Sequence, residues 1–184
     1  MHRIEAYIRL AVIFIFVISL CCLPVLLVLK KKGKSIIRQI SYVGLFCAAF
    51  LIVFATILFV PITLHPEQYI LNLKPFGWIG STESPQQFMV EKIPNIMLFI
   101  PFGFFLPTVF QSKRKWYKSA VIAFFMTFGV EFAQYFIGRS ADIDDVITNL
   151  LGAMIGYGVF CVCCGLFHRR AWWNTMLGSR DKVK

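Results

Sequence analysis

Acid is scarce in this chain: nine of 184 residues are Asp or Glu against nineteen Lys and Arg. Histidine is scarcer still, and His2, His65 and His168 are scattered, so no serine, cysteine or histidine is placed as an activated nucleophile. The six cysteines, Cys21, Cys22, Cys47, Cys161, Cys163 and Cys164, show neither zinc-site nor disulfide-framework spacing. They read as small apolar packing residues, with acylation of Cys163 or Cys164 as the alternative. There is no long polar stretch, which excludes a separate soluble domain and leaves one integral membrane domain over 1–184. No convincing internal repeat is present, which argues against an inverted-repeat transporter. The net charge of +10 comes with no stacking platform or groove-reading motif, so nucleic acid is excluded as a partner.

What the chain has instead is grease. Hydrophobic residues make up 58%, well above the usual share of about 45–50% in a soluble domain, and the mean hydropathy is +0.72. Five apolar runs, 7–29, 40–62, 93–110, 119–137 and 143–167, are long enough to cross a membrane at about 1.5 Å per residue. The third is short and interrupted by Pro101, Gly103 and Pro107. The expected fold class is all-α, a polytopic membrane bundle of five transmembrane helices. Between the second and third runs, 63–92 reads as a loop with interfacial character, carrying Pro66, Pro75 and Pro85 with Tyr69, Phe76, Trp78 and Phe88.

Basic residues favour the cytoplasmic ends of spans. Lys30, Lys31, Lys32, Lys34 and Arg38, then Lys113, Arg114, Lys115 and Lys118, then Arg169, Arg170, Arg180, Lys182 and Lys184 fall on one side, fourteen of the nineteen. All acids except Asp181 lie on or towards the other side. This places the amino terminus outside and the carboxyl terminus inside.

Polarity concentrates in 131–156. Glu131 lies six residues before the outer end of its run, about 9 Å below the surface, and burying it as an anion is costly unless it is paired, protonated or hydrated. Gln134 and Tyr135 share its helix face. Asn149 on the last run and Asn95 on the third come to similar depth, so a shared pocket of Asn95, Glu131 and Asn149 is expected. Above it Arg139, after Gly138, has a planar fork suited to carboxylate or phosphate, and Asp142, Asp145 and Asn149 fall on one helical face. Other roles stay open: Asp142 or Asp144 as a helix cap with Arg139 as neutralising partner, Asn95 and Asn149 as interhelical hydrogen-bonding residues, and Gly152 and Gly156 as close-packing positions.

The set Asn95, Phe99, Pro101, Gly103, Glu131, Gln134, Arg139, Asp142, Ile143, Asp144, Asp145, Asn149, Gly152 and Gly156, with an Asn-Leu-x-Pro-Phe element at 72–76, resembles the VanZ-like family over 72–157. The resemblance implies a small multi-span bacterial protein of the cell envelope, in the cytoplasmic membrane, linked to resistance against the glycopeptide antibiotic teicoplanin. It supplies no mechanism.

Three functions follow as expectations. The first is binding or modification of an anionic lipid or lipid-linked cell-wall intermediate at the outer leaflet. Its binding residues would be Arg139, Asn149, Asn95 and Gln134; Glu131, Asp142 and Asp145 would be the acid/base or polar-pocket residues. A divalent metal on Asp142 and Asp145, with Glu131, is a possible cofactor. The second is a non-catalytic interaction or scaffold protein, and the third a proton-coupled transporter using Glu131. Catalysis and oligomeric state stay open.

Overall fold

The structure is a computed structural model, which describes residue 20 and residues 22–24, 26–28, 30–33, 35–58, 69–76 and 85–178. Most of the first expected span, 7–29, lies outside the described residues; its residues 20, 22–24 and 26–28 are helical. Among the described residues four helices are long and apolar enough to cross a membrane: Ile36–Ile57, Lys92–Val109, Trp116–Phe136 and Ile143–Phe167.

Helix α1, Ile36–Val53, starts where extended Ser35 accepts the Arg38 N–H on its hydroxyl at 3.2 Å. It runs into a π-helical turn, Phe54–Leu58. There the Thr56 hydroxyl bonds back to the Ile52 carbonyl at 2.7 Å, and the Thr56 carbonyl accepts side chains from elsewhere. Helix α2, Pro85–Val109, is a continuous helix of 25 residues. This corrects two expectations. The last eight residues of the 63–92 loop are helical, with Pro85 at the first position, where no N–H is needed. Pro94, Pro101 and Pro107 do not break the helix, because a packed bundle re-satisfies groups that proline frees. At its end Thr108 Oγ1 donates to the Phe104 carbonyl at 2.7 Å and Arg114 Nε to the Pro107 carbonyl at 3.3 Å. Helix α3 is Trp116–Phe136, α4 is Ile143–Phe167, and a short α5, Ala171–Met176, folds back with Trp173 buried. The all-α expectation misses one small feature, a parallel pair of two-residue strands, β1 Leu71–Asn72 and β2 Ala141–Asp142.

Helices α2 and α4 form the spine. A Cβ on Gly152 would collide with the Ile96 carbonyl, one on Gly156 with the Ile100 carbonyl, and one on Gly103 with the Ala153 carbonyl. Ile96 therefore faces Gly152 and Ile100 faces Gly156, so the helices run in the same direction at near backbone contact. Around this seam Ile52, Phe99, Phe102, Leu106, Ala123 and Val130 make the core.

The bundle has two chemically different ends. At one, buried Arg38 donates to the Thr108, Val109 and Met176 carbonyls at 2.9, 2.7 and 2.6 Å. Arg114 Nη2 reaches the Leu177 carbonyl at 2.9 Å. Two arginines thus satisfy the last carbonyls of α2 and α5 and complement their dipoles. Burial lowers the pKa of Arg114 from the ordinary arginine value, the charge of Arg38 acting the same way; an arginine starts high enough to stay charged. At the other end four carboxylates gather.

Candidate functional site: an acid-walled lateral cleft

The acidic end is assembled around the start of α4. Extended Asp142 is its N-cap, accepting the Asp144 N–H at 2.9 Å, and Asp144 and Asp145 occupy the first turn, where the helix dipole favours anions. The 72–76 element docks against this helix start. Leu71 and Asn72 pair with Ala141 and Asp142, and Asn72 Nδ2 donates to Asp142 Oδ1 at 3.2 Å. Phe76, held at a φ of 58°, donates its N–H to Asp144 Oδ1 at 2.6 Å. Of the two candidate caps it is Asp142 that caps, while Asp144 fastens the loop.

Lys92, the eighth residue of α2, donates to Asp145 Oδ1 at 2.7 Å and Asp142 Oδ2 at 3.2 Å, and is buried. It binds the very two carboxylates expected to offer oxygen ligands to a divalent ion. Among the described residues no three of His, Cys, Asp and Glu are arranged to hold a metal. A fixed ammonium between the two acids does not fit a metal site, since it supplies the positive charge a metal would bring.

Glu131 is 6% exposed and accepts the Asp142 N–H on Oε2 at 3.0 Å. One face of α3 thereby receives the turn that leads into α4. Beside this bond lies a cleft of about 400 Å³, lined by Leu71 and Leu73, by Phe128, Glu131, Phe132, Tyr135 and Phe136 of α3, and by Ala141, Asp142, Ile143 and Val146. Phe128, Phe132 and Phe136 are each about half exposed and continue a ladder of ring contacts along α3 from Phe124. The cleft therefore opens sideways from the bundle, not along its axis. Its wall is apolar except at Glu131, Tyr135 and Asp142.

The other expected site residues lie elsewhere. Arg139 is half-buried and donates from Nη1 to the Thr56 carbonyl at 3.3 Å; buried Gln134 donates to the same oxygen at 3.1 Å. The π-turn of α1 thus anchors the turn after α3, a use typical of π-bulges near sites. Asn149 is buried against Thr127, with Nδ2 to Oγ1 at 2.9 Å, and its Oδ1 has no partner among the described residues. Asn95 is half-buried on α2. The expected common pocket of Asn95, Glu131 and Asn149 thus resolves into separate places: Glu131 and Asp142 line the cleft, Asn149 pairs inside the bundle, and Asp145 faces Lys92. Sequence reasoning missed Lys92, Thr56 and Thr127. The signal for Lys92 was available, a lysine at the head of a span that must face three carboxylates.

Comparison with known proteins places this architecture. The VanZ/LLP1 family profile matches residues 43–165, which runs from within α1 through nearly all of α4. Protein VanZ of Enterococcus faecium is 30% identical over 129 residues, covering 70% of this chain and 75% of that protein. No solved structure matches. The matched span contains the π-turn, Lys92, the acidic helix start, the cleft and the glycine seam, and on both measures the chain belongs to the VanZ/LLP1 family.

Proposed function

We propose that this protein is a multi-pass protein of the bacterial cytoplasmic membrane, with its acidic end outward. It binds an outer-leaflet amphiphile in the lateral cleft, a membrane lipid or lipid-linked cell-wall intermediate, and contributes to teicoplanin tolerance. The observation that carries this is the cleft itself: apolar, open to the side where acyl chains lie, and polar only at Glu131, Tyr135 and Asp142 near one end of the spans. A site that keeps a tail in the bilayer and a head at the surface needs that arrangement. The basic-residue count supports the orientation and the five-span topology, amino terminus outside and carboxyl terminus inside. Arg139, directed at Thr56, is a support of the site in this reading.

The test uses two variants that approach the cleft differently. Glu131→Gln removes the charge from its wall; Leu73→Trp, at a 66% exposed position, adds bulk over its rim. Both variants are expected to accumulate in membranes like the parent and to lose teicoplanin tolerance. Tolerance that survives in both, or falls only in step with protein abundance, would contradict the proposal. The second outcome supports the scaffold reading, which the mutual pairing of Lys92, Asn72 and the aspartates favours.

A further inference from the structure

We infer that the head recognised by this cleft is an ammonium, a hydrogen-bond-donating cation, and not a phosphate; this rests on the cleft being an amphiphile site. The charged groups on its wall are the carboxylates of Glu131 and Asp142, which accept and do not donate when ionised, and the one further polar side chain lining it is the neutral phenol of Tyr135. Two of the cations nearby are engaged elsewhere. Lys92 is shared by Asp142 and Asp145, and the described contact of the Arg139 guanidinium is to the Thr56 carbonyl. No cation among the described residues stands within ion-pair distance of Glu131.

Glu131 is the independent observation. It is more than nine-tenths buried, one oxygen takes the Asp142 N–H, and the other has no described hydrogen-bond partner while its side chain lines the cleft. A buried carboxylate with no cation in contact is costly when ionised, and a cation entering from the cleft reduces that cost. Charge across this end leans the same way: among the described residues Glu131, Asp142, Asp144 and Asp145 stand against Lys74, Lys92 and Arg139, four to three. Lys92 shows what these acids hold well, since its ammonium sits 2.7 and 3.2 Å from two of them. A second ammonium reaching Asp142 and Glu131 from the cleft side would repeat that contact.

The experiment is a native mass spectrometry titration of the full chain in nonionic detergent. The probes are dodecylamine, dodecanol and dodecyl phosphate, which share a tail and differ in the head. Dodecylamine is expected to bind about ten- to a hundredfold more tightly than the other two, the range for one charge-assisted contact. Glu131→Gln is expected to erase that preference. Dodecyl phosphate or dodecanol binding the parent protein as tightly as the amine would overturn the inference while leaving the amphiphile site intact. Binding of none of the three would instead sink the proposed function. The parent ranking decides the matter even if the variant misfolds. Competition by dioleoyl phosphatidylethanolamine and by N-lauroyl-lysine amide then separates a phospholipid amine from an aminoacyl one. At least one must displace dodecylamine, and failure of both would also overturn the inference.

Discussion

Gly156→Val is expected to eliminate the folded protein. At this position a Cβ already collides with the Ile100 carbonyl, and the nearest atoms are backbone, so no side-chain rotation relieves it. Valine adds two further carbons to the contact. Separating α2 from α4 would open the seam at Gly152 and Gly103 as well and drag Lys92 off Asp145, so the cost spreads from packing to the acidic end. Overpacking costs about 1–3 kcal/mol where neighbours yield; here backbone faces backbone, and a loss beyond about 4 kcal/mol is expected, enough to exhaust a marginal stability. Size-exclusion chromatography in detergent checks it, with an aggregated or absent peak as the expected result. Gly158→Val is the control: a Cβ there meets nothing within 4 Å, and a normal peak is expected.

Lys92→Met is expected to be the most damaging single change at the acidic end. It keeps the length and apolar stem of the side chain but leaves Asp142 and Asp145 without their shared cation. Removing one partner of a buried pair costs about 3–5 kcal/mol. The lower part of that range applies, because the carboxylates keep 22% and 26% of their side-chain surface exposed. Since Asp142 also caps α4 and holds Asn72, the loss should loosen the 72–76 element and the cleft wall built on it. Thermal unfolding in detergent micelles should show a clear drop in Tm, partly restored by adding Asp145→Asn. A Lys92→Met protein as stable as the parent would mean that the ion pair is incidental.

Much of this architecture was legible in one dimension. Apolar run length located the four described spans, and the last of them is reproduced residue for residue as Ile143–Phe167. The spacing of Gly152 and Gly156 read as close packing, which it is. Glu131 and Asp142 could be marked because charge inside or beside a span is improbable on energetic grounds. What could not be read was direction around the helix axis. Similar depth suggested that Asn95, Glu131 and Asn149 meet, yet Asn149 turns to Thr127 and Arg139 to the Thr56 carbonyl in the π-turn. Proline content suggested a broken third span, but packing against α4 outweighs the hydrogen bonds that Pro94, Pro101 and Pro107 remove. Lys92 was counted for topology alone, because a tally of charges near span ends carries no information on burial.

Amphiphiles are expected to occupy the cleft beside Glu131 in preference to the rest of the bundle perimeter. Photolabelling in bilayers with a lipid carrying a diazirine in its acyl chain, followed by peptide mapping, tests it directly. Labels are expected to concentrate on Leu71, Leu73, Phe132, Tyr135 and Ile143, reduced by Leu73→Trp, with much weaker labelling of Phe125, Val162 and Leu166, which are exposed on α3 and α4 but do not line the cleft. Equal labelling of the two sets would contradict it.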